Sequence, residues 1–111
     1  MAQVQQVISQ QGPLPIQVRA DIETDAPTVV TIAGSVWSPT ANSMIGVTLF
    51  IDSAEVAEAQ IFSNQSNEHR AFVPLIFPYT FSIGQHAFTL EPSTPQTTSD
   101  ANDFFYLTVQ Y

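Results

Sequence analysis

Apolar and polar residues alternate along most of this chain. From Leu14 onward, Leu14, Ile16, Val18, Ala20 and Ile22 point one way, and Pro15, Gln17, Arg19, Asp21 and Glu23 the other. A period of two predicts a strand with one face in a core and one in water. Pro15 lies on the outward side, which suits an edge strand where no ladder donor is missed. Thr28–Ser38 repeats the pattern: Val30, Ile32, Gly34 and Val36 share a face, opposite Val29, Thr31, Ala33, Ser35 and Trp37. Gly46–Asp52 turns Val47, Leu49 and Ile51 inward and leaves Thr48 and Phe50 on the other side. Gln85–Glu91 places His86, Phe88 and Leu90 together. Phe104–Tyr111 sets Phe105, Leu107, Val109 and Tyr111 against Phe104, Tyr106, Thr108 and Gln110.

Other segments carry weaker signals. Ala54–Gln60 is built of helix formers, yet only seven residues separate Asp52-Ser53 from a β-like Ile61-Phe62, so a short strand is expected there. Arg70–Phe77 reads as a strand interrupted by Pro74, which forbids a central ladder position. Pro78–Gly84 reads as an irregular crossing. Residues 1–12 are glutamine-rich and end at Gly12-Pro13; they are expected as a flexible arm, or as a strand that docks on a neighbour. Residues 13–111 then form one domain. About seven strands with turn signals between them, and no helix of useful length, give an all-β fold, an antiparallel β-sandwich.

The charge balance excludes several partners. The 111 residues include ten acids, two arginines (Arg19 and Arg70) and no lysine, for a formal charge of −8. Phosphate recognition needs clustered cations, so neither nucleic acid nor an anionic membrane surface is an expected partner. No apolar run approaches the roughly 20 residues of a membrane-spanning helix. Absent lysine removes Schiff-base chemistry, and absent cysteine removes thiol catalysis, disulfides and thiolate zinc sites. The first residues show neither a basic patch nor a sustained apolar run, so no signal peptide is expected from them.

From about Ala26 onward the pattern resembles a bacterial immunoglobulin-like domain. Four segments carry the resemblance: Thr28–Trp37, Ile45–Asp52, Phe81–Leu90 with its Gly84-Gln85-His86 corner, and Phe104–Val109. It implies an immunoglobulin-like sandwich serving as an extracellular or cell-surface module. No Cys…Trp…Cys spacing exists, and Trp37 falls too early for that role. The alternative architecture is a jelly roll like that of tumour necrosis factor or the complement globular heads. In that alternative the aromatic Phe104-Phe105-Tyr106 would suit a threefold axis.

Few residues offer chemistry. Asp100-Ala101-Asn102-Asp103 resembles the Asp-x-Asn-Asp calcium motif of cadherins, and the side-chain oxygens of Asp100, Asn102 and Asp103 suit a hard cation. The competing reading is an Asx turn that launches the last strand. No other cofactor is implied. His69 and His86 are 17 residues apart with no partner at zinc-binding spacing, and His86 reads as a corner residue bonded to a backbone carbonyl. No serine sits in a nucleophile-elbow context. The chain therefore reads as no enzyme. Trp37, Phe50, Phe62, Tyr79 and Tyr106 are candidates for an outward aromatic surface that stacks on sugars or anchors a protein. Phe50 and Phe62 would form a patch if they paired across neighbouring strands. The function expected first is a non-catalytic structural or protein-interaction module that self-associates as a homo-oligomer. The second is a carbohydrate-binding module or lectin.

Overall fold

The computed structural model describes residues 3–111. Nine strands follow in chain order: β1 (Val4–Gln11), β2 (Ile16–Ile22), β3 (Pro27–Val36), β4 (Ser43–Ile51), β5 (Ala54–Ser63), β6 (Arg70–Ala71), β7 (Leu75–Thr80), β8 (Gly84–Pro92) and β9 (Phe104–Gln110). They form two antiparallel sheets. The first runs β1-β9-β3, with β6 and β7 both on the far edge of β3; the second runs β2-β8-β4-β5. The all-β antiparallel sandwich is therefore the fold.

Its connections decide between the two architectures weighed above. Only β4–β5 is a hairpin between ladder neighbours; the chain otherwise changes sheet at each step, apart from the short β6–β7 continuation along one edge. Immunoglobulin-like sandwiches pair consecutive strands within a sheet repeatedly. The order seen here is that of a jelly roll, in which the strands of two packed sheets interleave in sequence. The segments resembling an immunoglobulin-like domain supply β3, β4, β8 and β9, with residues 81–83 irregular before β8, but their order follows the other pattern.

The alternating residues assemble the core. Val30, Ile32 and Val36 of β3 and Phe105, Leu107 and Val109 of β9 face Val47, Leu49 and Ile51 of β4 and Phe88 and Leu90 of β8, all of them buried. Burying each such side chain is worth about 1.5–3 kcal/mol. The glutamine-rich segment, expected as a loose or docking arm, forms β1 on the chain's own β9. A register shift between Gln6 and Ile8 lets the consecutive Val7 and Ile8 both be buried, as a bulge allows.

The three segments with weaker signals take definite form. Ala54–Ser63 is strand throughout despite its helix-forming residues. Asp52 and Ser53 adopt positive φ (52° and 70°), the geometry of a tight hairpin turn, and return the chain directly along β4. Pro74 splits the Arg70–Phe77 segment into β6 and β7, both at the sheet edge, where a missing donor is tolerated. Residues 78–80, read from sequence as irregular, belong to β7, with Pro78 opposite Val29.

Gly46 lies opposite Gln60 in the β4–β5 ladder. A methyl group there would meet the Ala59 carbonyl oxygen and lie 2.7 Å from the Cα of Gln60. Backbone cannot yield as a side-chain end can, so Gly46→Ala should destabilise the fold by about 2 kcal/mol. Urea unfolding checks this: the midpoint should fall with the slope unchanged.

Candidate functional site

The Asp100–Asp103 segment is a turn closed on itself. The Asn102 N–H donates to Asp100 Oδ1 (2.8 Å), the Asp100 N–H to Asp103 Oδ2 (2.9 Å) and the Asp103 N–H to the Asp100 carbonyl (3.1 Å). This is the Asx turn weighed against the calcium motif. Asp103 is fully buried. Its Oδ1 accepts from the Ser35 hydroxyl (2.7 Å) and lies 2.7 Å from His69 Nδ1. His69 comes from the β5–β6 loop and its ring lies 5.5 Å from that of Trp37. The hydrogen bond to Asp103 raises the His69 pKa, and the Asp103 and Asp100 charges add to it, against the opposing effect of desolvation.

One group among the described residues has the composition of a metal site: His69, Asp100 and Asp103 place ligand atoms within 4.8 Å of one another. The grouping differs from the sequence expectation in one member. Asn102 is exposed and engages the turn through its backbone, while His69, 34 residues away from Asp103, takes the third place. Calcium favours six to eight oxygens, and an imidazole with two carboxylates is closer to what zinc takes. A metal at His69 Nδ1 would displace the proton shared with Asp103.

His86 occupies the opposite sheet. Its Nδ1 lies 2.6 Å from Asp52 Oδ2 and its Nε2 2.7 Å from the Ser82 carbonyl oxygen, while the Ala87 N–H donates to Asp52 Oδ1 (2.9 Å). Two acceptors face the two ring nitrogens, so both contacts are hydrogen bonds only when both nitrogens carry protons. Burial alone would lower the His86 pKa. The Asp52 and Ser82 hydrogen bonds outweigh it, and the net shift is upward. The His86 hydrogen bond, helped by the Ala87 amide, holds the Asp52 carboxyl below its usual range. Each histidine thus has its own carboxylate, on a different sheet.

The five candidate aromatics do not converge. Trp37 is half-buried beside His69, and Tyr79 is half-buried with its ring 4.7 Å from Phe81, packed on the core. Tyr106 lies exposed on the outer face of the first sheet, 4.7 Å from Phe104. Phe50 and Phe62 share the second sheet but do not pair: Phe62 faces Met44, and Phe50 lies opposite Glu55 and Thr89. The ladder register, which a single strand cannot reveal, separates them by most of the length of β4.

Phe50 has a different setting. Gln17 of β2, Thr89 of β8, Phe50 of β4 and Glu55 of β5 lie in one row across the second sheet, with Arg19 and Ala87 in the next. Beside this row is an open depression of about 490 Å³, lined by Gln17, Val18, Arg19, Ser53, Ala87, Phe88 and Thr89. Gln17, Arg19 and Thr89 are outward positions of alternating strands, and Ser53 belongs to the β4–β5 turn. That signal was visible in the sequence, but only the strand order joins them.

No protein-family model and no curated protein matches this sequence. Among solved structures, the chain is similar to part of dimeric latent PorU from Porphyromonas gingivalis (7% identity, TM-score 0.58), covering 98% of this chain and 12% of that one. It is also similar to the C-terminal domain of EclA, a sugar-binding protein (15% identity, TM-score 0.51), covering 98% of this chain and 76% of that one. A more distant likeness is to the carbohydrate-binding module CBM36 in complex with calcium and xylotriose (11% identity, TM-score 0.45, 98% of each chain). At such identities the likeness is one of fold.

The Asp52–His86 pair predicts a pH dependence. A histidine whose pKa is raised on folding adds stability that is complete below about pH 6.5 and lost as pH rises through the folded value. Asp52, with its lowered pKa, adds stability above about pH 3.8 that is lost only in acid. The stability gap between the native chain and Asp52→Asn should therefore be wider at about pH 5.5 than at about pH 8.5. Urea unfolding at both pH values measures it, and an equal gap would contradict the pairing.

Proposed function

We propose that the protein is a non-catalytic binding module for carbohydrate, with its site on the outer face of the β2-β8-β4-β5 sheet. The observation that carries this reading is the row Gln17–Thr89–Phe50, with Arg19 alongside and an open depression at its end. A half-exposed ring offers an apolar plane to the C–H face of a sugar. The flanking amide, hydroxyl, carboxylate and guanidinium groups supply the donors and acceptors that sugar hydroxyls need. The depression is open to solvent, which fits a chain lying across a sheet better than a reaction shielded from water. The separation of the two histidines also supports a non-catalytic role, since neither sits with a free nucleophile. The jelly-roll frame is one that a protein named as sugar-binding also uses. A polysaccharide ligand would place the module outside the cell or at its surface.

Recognition by stacking and hydrogen bonds needs no metal at this face. Calcium dependence would instead move attention to the His69, Asp100 and Asp103 group at the other sheet.

A glycan array screened with and without calcium, followed by calorimetric titration of the best ligand, tests the proposal. Phe50→Ala should weaken binding at least about tenfold, the cost of losing a stacking anchor, while Phe62→Ala leaves it unchanged. No glycan bound under either condition, or a Phe50→Ala variant that binds like the native chain, would overturn the reading.

A further inference from the structure

The four long strands of the first sheet, β1, β3, β7 and β9, contain no charged residue and no histidine. In a chain with ten acids this is a strong segregation. The second sheet carries Arg19 and Asp21 on β2, Glu55 and Glu58 on β5, and Glu91 on β8. On the outer face of the first sheet, Val4, Gln110, Val29 and Pro78 form one row across β1, β9, β3 and β7. Gln6, Thr108, Thr31 and Ile76 form the next, and Ser9, Tyr106 and Ala33 a third. Several of these side chains lie open: Val4 65%, Ile76 65%, Tyr106 43% and Val29 39% exposed.

We propose that this face binds a second copy of the chain, sheet against sheet, about a twofold axis. Charge selects the occupant. Every copy carries a formal charge of −8, so two copies repel wherever acids meet, and this face is where they approach without that penalty. A cationic partner would seek the acidic sheet, and an anionic one finds no cation on the four long strands; Arg70, on the short edge strand β6, lies opposite the inward Val36. The size also fits. Four strands about 4.8 Å apart and about 20–25 Å long cover roughly 450 Å² per copy, so a dimer buries about 900 Å², the size of a weak, transient association. Thr31 and Thr108 lie near the centre of the face, with Val29, Ile76, Tyr106 and the uncharged Gln6 and Gln110 around them. This inference does not depend on the carbohydrate reading, which uses the opposite face.

Light scattering on size-exclusion fractions from about 10 μM to about 1 mM is the test, matched to the weak end of specific association. A concentration-dependent species of twice 12.2 kDa is expected. It should tighten as salt rises, because screening removes the repulsion between the acidic surfaces. Ile76→Glu and Val4→Glu, at two well-exposed positions, should each leave a folded monomer by circular dichroism, whereas Phe62→Glu on the other sheet leaves the dimer intact. A monomer at every concentration, a dimer that weakens with salt, or one broken by Phe62→Glu and indifferent to Ile76→Glu would each overturn the proposal.

Discussion

The contact between the two inner sheet faces governs the rest of this molecule. Along each strand every second residue enters the shared layer, where Ile, Val, Leu and the rings of Phe72, Phe88 and Phe105 interdigitate with no access to water. Because the chain changes sheet at almost every connection, no sheet can form its ladders without the other being laid down as well. The inner positions are therefore fixed by packing. The outer positions are free of that constraint, and the two outer faces have diverged: one carries acids, an arginine and a half-exposed ring, and the other carries no charge.

With no lysine and two arginines, this protein has few cations with which to neutralise carboxylates it cannot leave in water. The two histidines partner carboxylates instead, His69 the buried Asp103 and His86 the exposed Asp52 at the β4–β5 turn. Asp103 is fully buried, and a bare carboxylate there would cost several kcal/mol. Ser35, the Asp100 amide and His69 share its oxygens, which ties the end of β3, the β5–β6 loop and the entry to β9 into one knot. Asp52 does the same for the β4–β5 turn, held to β8 through His86 and the Ala87 amide. Buried or half-buried pairs of this kind add little net stability compared with apolar packing, but removal of one partner strands the other. Their contribution is to fix where irregular segments sit on a regular frame.

The division between what the sequence reveals and what it hides follows from the range of each interaction. Period-two alternation is local, so the inward faces of β2, β3, β4, β8 and β9 can be read residue by residue, and the all-β sandwich follows from them. Strand order is not local. The immunoglobulin-like preference rested on segment patterns shared by many sandwiches, and only the pairing of β9 with β1 and β3, or of β8 with β2 and β4, distinguishes a jelly roll. The same holds for the sites. Asp100 and Asp103 were visible as a pair because they are neighbours. His69 was not visible as their companion, since a loop closure of 34 residues brings it to Asp103. Phe50 stood out as an outward ring between inward aliphatic residues, yet its neighbours Gln17 and Thr89 come from strands 30 or more positions away in sequence. The helix-forming composition of Ala54–Gln60 does not prevail over the strand expected there from its short span, because the hairpin turn at Asp52-Ser53 and the full ladder with β4 outweigh propensities of a few tenths of a kcal/mol per residue.

The two outer faces point away from each other, and this geometry limits what association could achieve. The sandwich measures 43 × 22 × 20 Å, so two copies stacked through the uncharged sheet would hold their Phe50 faces on opposite outer surfaces, about two sandwich thicknesses apart. A single polysaccharide strand lying on one such face has no path to the other without wrapping around the pair. Stacked copies would therefore gain little by chelating one strand, since avidity requires that both sites be reached together. They would instead bridge two separate strands, each held by its own face. An edge-to-edge arrangement through β1 would have set the Phe50 faces side by side. The lack of charge across a whole face, rather than along one edge strand, favours the stacked arrangement and with it a cross-linking geometry.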